Sequence, residues 1–308
     1  MRKKDEFPLT TVAHDGSNTY FLGTGDLAAR RLELQNAALL EESKTHIEKI
    51  PVLEGKVIWD IGCGSGAMTA YFAEKVGENG HVYAVDISEK QLEVTRKRIE
   101  SGGFTNITFI RADIVSDNFP TGAADVVYMR FVLMHLTNPN LALDKIKDLL
   151  KPQGIFVSEE PINSSCYSPT SANSVLKEYI NAYVEMGRKR GVNYDMGCRL
   201  DNTLNKAGFA NTEVTYTLVK YDAELGKIVL PMFLDEWKDE AIRAEVTTEE
   251  KIAAWKETIS HLTNSRQLLF GHAYTMARAL GQKSESSLHQ NEDDVDTAII
   301  PEGFFPSC

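Results

Sequence analysis

Long apolar runs are missing from this 308-residue chain: no segment approaches 18 uncharged apolar residues, so no membrane-spanning helix is expected and no membrane insertion. The N-terminal stretch MRKKDEFPLTTVAHDGSN carries the positive charges of a leader but no apolar segment after them, and the expectation is a soluble, cytoplasmic protein. Cysteine is scarce. Cys63, Cys166, Cys198 and Cys308 stand far apart, with no C-x-x-C pair and nothing like the density of a secreted disulfide scaffold, which fits a reducing compartment and offers no metal-ligand set. Basic runs are short too, RKKDE at the start and GRKRG at 187–191. With 33 Lys and Arg against 44 Asp and Glu, a net charge of −11 argues against nucleic acid or another polyanion as partner. No internal repeat is found.

What is present begins with 43% hydrophobic residues, enough for one substantial core with additions. Between residues 55 and 161, β-branched runs alternate with amphipathic stretches, the pattern of a parallel sheet covered by helices on both faces. Strands are expected at 56–61, 81–86, 107–113, 124–129 and 154–160, and helices at 67–76, 89–101 and 141–151. Ser88 is placed to cap the second helix, and Pro152 follows the third. Beyond 161 the regularity weakens. Helices are expected at 172–190, 232–242 and 248–262, a helix closed by Gly208 and then a strand within 199–219, and a last strand at 267–279. The polar, acidic tail 284–308 is expected to be disordered or loosely docked.

The stretch VIWDIGCGSG at 57–66 ends a strand in Gly62, Gly64 and Gly66. A strand, a glycine turn and a helix together set backbone N–H groups and the positive end of a helix dipole beside a ligand, where side chains would block the approach. The same residues satisfy G-x-G-x-x-G/A with Ala67 last, and Asp86 falls 20 residues after Gly66, where a ribose-binding acid belongs. That motif alone leaves open a nicotinamide or flavin oxidoreductase and a nucleoside-cofactor transferase.

Three features favour the second. Asp60 stands two residues before the first glycine, where a dinucleotide enzyme has a small or apolar residue; a carboxylate there suits a ligand with a cation or N–H donors. Asp113 ends the third strand and can accept from an exocyclic amine. The fourth strand breaks into a loop with Arg130 and His135.

These motifs, in this order and spacing, resemble the class I S-adenosylmethionine-dependent methyltransferases over residues 55–160. The passage FVLMHLTNPNLALDKIKDLLKPQGIFVSEEP is most similar to the small-molecule methyltransferases related to ubiquinone and menaquinone biosynthesis enzymes. The resemblance implies an α/β, Rossmann-like doubly wound sheet of seven strands, the last antiparallel, with S-adenosyl-L-methionine as cofactor and a small molecule as substrate. It further implies that Asp60 faces the cofactor's ammonium, the glycines its carboxylate side, Asp86 both ribose hydroxyls and Asp113 the adenine amine. Ile87 and Ile114 would sandwich the adenine, with Gln91 and Arg130 nearby. The upstream TYFLGTGDLAARRLELQ resembles an N-terminal arm in which Tyr20, Arg31 and Gln35 close over the cofactor.

His135, seven residues past residue 128, is the candidate catalytic group, as a base or a positioning residue, against the plainer reading of a packing histidine. Glu159 and Glu160 end the fifth strand near the expected substrate, though adjacent acids at a strand end are commonly solvated. Cys63 lies at a helix N-terminus that would lower its pKa, but small size in a crowded turn explains it better. Tyr179/Tyr183 and Phe233/Trp237 have helical spacing and read as core or lid packing. The expected organisation is an arm (1–50), a cofactor-binding core (51–161), the rest of the fold with helical lid insertions at 162–197 and 229–264 (162–283), and the tail (284–308). A protein methyltransferase and a non-catalytic cofactor-binding protein remain as alternatives.

Overall fold

The computed structural model describes residues 26–167, 173–261 and 270–283. Tyr20 and the tail 284–308 lie outside them. Seven strands run through the described residues: β1 (Val57–Ile61), β2 (His81–Asp86), β3 (Ile107–Arg111), β4 (Ala124–Arg130), β5 (Leu150–Tyr167), β6 (Phe209–Asp222) and β7 (Phe270–Lys283). They form one sheet in the order β3-β2-β1-β4-β5-β7-β6. β1 through β5 pair in parallel, and β7 lies antiparallel between β5 and β6. The chain starts at β1, moves outward to β3, and returns to place β4 on the other side of β1. Loops after β1 and β4 therefore leave in opposite directions and open a crevice between them.

A parallel strand covered on both faces is apolar nearly throughout, and in β1 Ile58, Trp59, Asp60 and Ile61 are all buried. The helices α2 (Ala67–Val76), α3 (Glu89–Gly102) and α4 (Pro139–Leu149) cover the sheet. In α4, Ala142, Leu143, Ile146 and Leu149 repeat at three- and four-residue spacing and face inward. This helix was expected to reach 151; it stops at Leu149 because Leu150 already pairs with Ala124 at the start of β5.

The remaining helices are α1 (Asp26–Ile47), α5 (Asn173–Lys189), α6 (Leu200–Lys206), α7 (Ala223–Arg243) and α8 (Glu249–His261). The helix expected at 232–242 begins at Ala223, nine residues earlier, and runs through Pro231. Proline removes one intrahelical hydrogen bond and crowds the preceding turn, a local cost that packing overrides here. The Leu230 carbonyl beside it accepts from the Tyr179 hydroxyl at 3.2 Å. α5, α7 and α8 meet through aromatic rings: Tyr183 stacks on Tyr194 at 4.3 Å, while Trp237 lies 5.4 Å from Tyr179, 5.6 Å from Tyr183 and 6.2 Å from Trp255. All five rings are fully buried, so the large aromatics of the sequence's second half form the contact between these helices.

Cys63 and Cys166 are free thiols, both buried.

Candidate functional site

The crevice is a cavity of about 320 Å3, within the range of small-molecule sites. Its floor is made by the C-terminal ends of β1 to β4. After β1 the backbone turns through Gly62 with φ 74°; a Cβ there would come within 2.4 Å of Val132 Cγ2, so this loop and the one after β4 approach each other only because the residue is bare. Gly62 and Gly64 line the cavity, whereas Gly66 stands behind them as the N-cap of α2.

Asp60 does not reach the wall. It is buried beneath the turn, where the Thr69 hydroxyl donates to it at 2.6 Å, and burial raises its pKa to about 6 despite Thr69 and Arg130. The carboxylate expected to face a cofactor's ammonium is thus engaged by Thr69 beneath the glycine loop and is not among the residues lining the cavity. Asp86 does line the cavity. Its carboxylate accepts from the Gly64 N–H at 3.0 Å and the Ser88 N–H at 2.9 Å, and burial raises its pKa. Each oxygen keeps lone-pair capacity for a further donor.

Ile87, Gln91, Asp113 and Ile114 are on the same wall. Asp113 is partly committed: it accepts from the Val115 N–H at 2.8 Å and the Ser116 hydroxyl at 3.0 Å, closing the turn after β3. Gln91 is buried with its Oε1 lacking a partner. An orphaned acceptor on the wall of a cavity suits a ligand that brings hydroxyl or N–H donors, and in this respect the residues present fit a ribose and an adenine. Cys63, next to them, has its thiol pushed up by burial and the charges of Asp86 and Asp60, which opposes the helix dipole and leaves it without thiolate character.

The roof comes from α1, α5 and α7. Arg31, Gln35 and Asn36 of α1 line the cavity together with Tyr183, Val229, Leu230 and Phe233. Arg31 is clamped by Glu236 of α7, Nε to Oε1 at 2.5 Å and Nη2 to Oε2 at 3.0 Å, and donates to Gln35. Both ends of this pair are buried. Arg130, at the end of β4, donates to the Ser43 hydroxyl at 3.1 Å and to Asn36 Oδ1, so it ties α1 to the sheet while facing the cavity. Asn36 also donates to Ser65 Oγ at 2.8 Å, fastening α1 to the glycine turn.

Glu159 and Glu160, expected at the end of a strand over 154–160, lie inside β5, which runs on to Tyr167, and are buried, contrary to the solvated reading. Glu159 accepts from Ser43 of α1 at 2.7 Å. Glu160 accepts three successive backbone N–H bonds, from Val132 at 3.1 Å, Leu133 at 2.8 Å and Met134 at 3.1 Å. Burial nevertheless raises its pKa to about 8. Glu160 thus fixes the loop after β4, which carries Phe131 at φ 58° and ends in a 3-10 turn, Leu133–His135. His135 lies on the cavity wall with its ring 5.5 Å from that of Tyr194. Burial, then Arg31 and Arg190, lower its pKa to about 3. An imidazole with so weak a hold on a proton is poorly suited to be a base at neutral pH and well suited to hold a neutral hydrogen-bonding geometry.

Thr69, Ser43 and Glu236 escaped the sequence reading. Only the first had a local signal, at i + 9 from Asp60; Arg31 and Glu236 are 205 residues apart and Ser43 and Glu159 are 116 apart.

A glycine turn, a ribose-side acid and a crevice at the reversal of strand order define a nucleoside-cofactor site on a Rossmann-like sheet. The family model described as a methyltransferase domain matches residues 53–208, half of the chain, and the protein belongs to that family, among the class I S-adenosylmethionine-dependent methyltransferases. The ubiquinone/menaquinone biosynthesis C-methyltransferase of Hydrogenovibrio crunogenus is 33% identical over 138 residues, 42% of this chain and 54% of that protein. Phosphoethanolamine N-methyltransferase 1 of Arabidopsis thaliana is 29% identical over 141 residues, 46% of this chain and 27% of that protein. The YcgJ protein of Bacillus subtilis shares the fold, with a TM-score of 0.51 at 17% identity, over 79% of this chain and 98% of that one. The chain spans about half the length of the first curated relative and less of the second. No helix among the described residues is long and apolar enough to cross a membrane.

Proposed function

We propose that this protein transfers a methyl group from S-adenosylmethionine to a small-molecule acceptor held under α1, α5 and α7. The observation that carries this reading is the continuity of one cavity from the Gly62/Gly64 turn and Asp86 to Tyr183 and Phe233 in the roof. Asp86 and Gln91 would hold the ribose and its surroundings, Ile87 and Ile114 would flank the adenine, and Asp60 would keep the glycine turn in shape through Thr69. S-adenosylmethionine supplies an electrophilic methyl on a sulfonium when bound. What the chain contributes is placement: methyl transfer accelerates mainly by holding the nucleophile in line and near, with no covalent nucleophile required. The loop held by Glu160 and the neutral His135 would orient the acceptor, and the α1 roof would exclude water. The helical roof, on a sheet closed by an antiparallel last strand, would select a compact acceptor over a folded macromolecule. The two relatives methylate carbon and nitrogen by name, so the acceptor atom follows from neither.

The test uses methyl-labelled S-adenosylmethionine with fractionated cell extract. Label should enter small molecules and not protein. Label in protein would favour the protein-substrate alternative, and label in nothing, with cofactor bound, a non-catalytic binding protein. Calorimetry should show S-adenosylmethionine binding and no nicotinamide binding.

A further inference from the structure

The fifth strand runs on past 160, and Asn163 on that extension of β5 lines the cavity. Its place in the sheet sets it apart from the acids of the cofactor side. Asp86 ends β2 and Asp113 follows β3, both on one side of β1, whereas β5 lies on the other side, beyond β4. Asn163 therefore belongs to the half of the wall that carries Ile180, Tyr183, Leu230 and Phe233.

The asparagine is held in one orientation. Its Nδ2 donates to the Tyr194 carbonyl, a group that can only accept, so Oδ1 is on the other arm of the amide. The segment that supplies this carbonyl is itself fastened: the Ser164 N–H donates to Asp195 Oδ1 at 2.8 Å, and the Asp195 N–H to Asn193 Oδ1 at 3.0 Å. Gly197 lets the next turn, Met196–Arg199, lie against β5, since a Cβ there would come within 2.7 Å of the Glu160 carbonyl oxygen. Among the described residues nothing donates to Asn163 Oδ1. A pre-set amide oxygen on a cavity wall calls for a donor from the ligand.

The charges of this half are already met. Arg31 is clamped by Glu236, and Arg190 hydrogen-bonds the Tyr194 hydroxyl and faces Glu240 at 3.7 Å. His135 is neutral, held so by burial and then by Arg31 and Arg190. An ionic ligand would give up its water against side chains whose charges are satisfied; a neutral apolar body gives up little.

We propose that Asn163 is a specificity-determining residue for the acceptor: its Oδ1 takes a hydrogen bond from a neutral N–H or O–H group carried on a ring-sized apolar molecule. The assignment rests on the methyl-transfer reading and deepens it, because a donor held at one fixed oxygen sets the direction in which the rest of the acceptor points.

The experiment loads the full chain with S-adenosylhomocysteine and titrates indole and benzofuran, a near-isostere in which oxygen replaces the ring N–H, followed by ligand-observed NMR. Indole should bind about three- to tenfold tighter, the size of one neutral hydrogen bond. Asn163→Leu should erase the preference with S-adenosylhomocysteine affinity unchanged, and Asn163→Asp, which keeps an oxygen at that place, should retain it. Equal affinity for the two probes, or a preference that survives Asn163→Leu, overturns the proposal. So does loss of the preference in both variants, which would leave Asn163 only as the fastening of residues 193–195. Should Asn163→Leu fail to fold, a crystal structure of the wild-type complex with indole decides: the indole N–H on Asn163 Oδ1 supports the assignment and any other pose sinks it. Failure of S-adenosylhomocysteine to bind the wild type would instead remove the methyl-transfer reading on which the assignment rests.

Discussion

The floor and the roof of the cavity are built by different kinds of interaction. On the floor, many of the hydrogen bonds come from neighbours within nine residues, though Gly64 reaches Asp86 across 22: Ser88 donates its backbone N–H to Asp86, Val115 and Ser116 close on Asp113, and Thr69 reaches Asp60 from the adjoining helix. In the roof, Arg31 finds Glu236 across 205 residues, and Tyr183 finds Tyr194 and Trp237 across helices. The floor is therefore a motif and the roof an assembly. Its buried ion pair and aromatic contacts exist only once α1, α5 and α7 are docked, so roof substitutions should act on docking and floor substitutions on the ligand.

The largest effect is expected where the roof helices meet. Trp237→Ala removes a fully buried ring shared by α5, α7 and α8 and should cost about 3–5 kcal/mol, read by denaturant unfolding. A loss confined to α7, with the sheet still protected in amide exchange, would sharpen the contrast; uniform loss of protection would merge the two regions into one cooperative unit. Close behind comes Glu236→Gln, which leaves the Arg31 charge buried without its counter-ion and should cost about 3 kcal/mol. An unchanged midpoint would mean that Arg31 reaches water instead.

A floor substitution should behave differently. Asp86→Ala should weaken S-adenosylmethionine binding by about 1.5–3 kcal/mol in calorimetry, with unfolding little changed. If stability falls and affinity does not, the assigned ribose contact is wrong.

The smallest effect joins the two regions through Glu160, the clasp between β5 and the loop after β4. Its pKa is raised in the fold, so the native state holds a proton that the unfolded chain releases, and stability falls as pH rises from the ordinary glutamate value of 4.5 towards about 8. Asp60, raised to about 6, acts in the same sense at lower pH. His135, lowered to about 3, acts oppositely between that value and 6.5. Among these three groups only Glu160 titrates between pH 6.5 and 8. Over that window the wild type should lose about 2 kcal/mol, and Glu160→Gln should be flat. An equal slope in both would place the titration elsewhere.

The first half of the molecule was largely legible. α2 occupies 67–76 and β2 81–86 as expected, because a strand, a glycine turn and an amphipathic helix announce themselves within a dozen residues. The second half was read as helical without its geometry. The helix expected at 232–242 begins at Ala223 and runs through Pro231, and Glu159 and Glu160 looked like solvated acids because their partners lie in α1 and in the loop after β4. Asp60 stands at the position the motif demands, yet its distance from the cavity was invisible: position in a strand fixes which way a carboxylate leaves the backbone, and not what the next helix offers it.

The sequence by itself determined the order of the elements, the bare turn after β1 and the acid at the end of β2, since backbone sterics and near-neighbour hydrogen bonds act over short stretches of chain. The tertiary structure decided which charges are buried and which face the cavity: Asp60 sealed under the turn, Arg31 clamped by Glu236, Arg190 on the wall. Those outcomes depend on desolvation and on counter-ions brought from distant segments, and both come into being only when the helices close over the sheet.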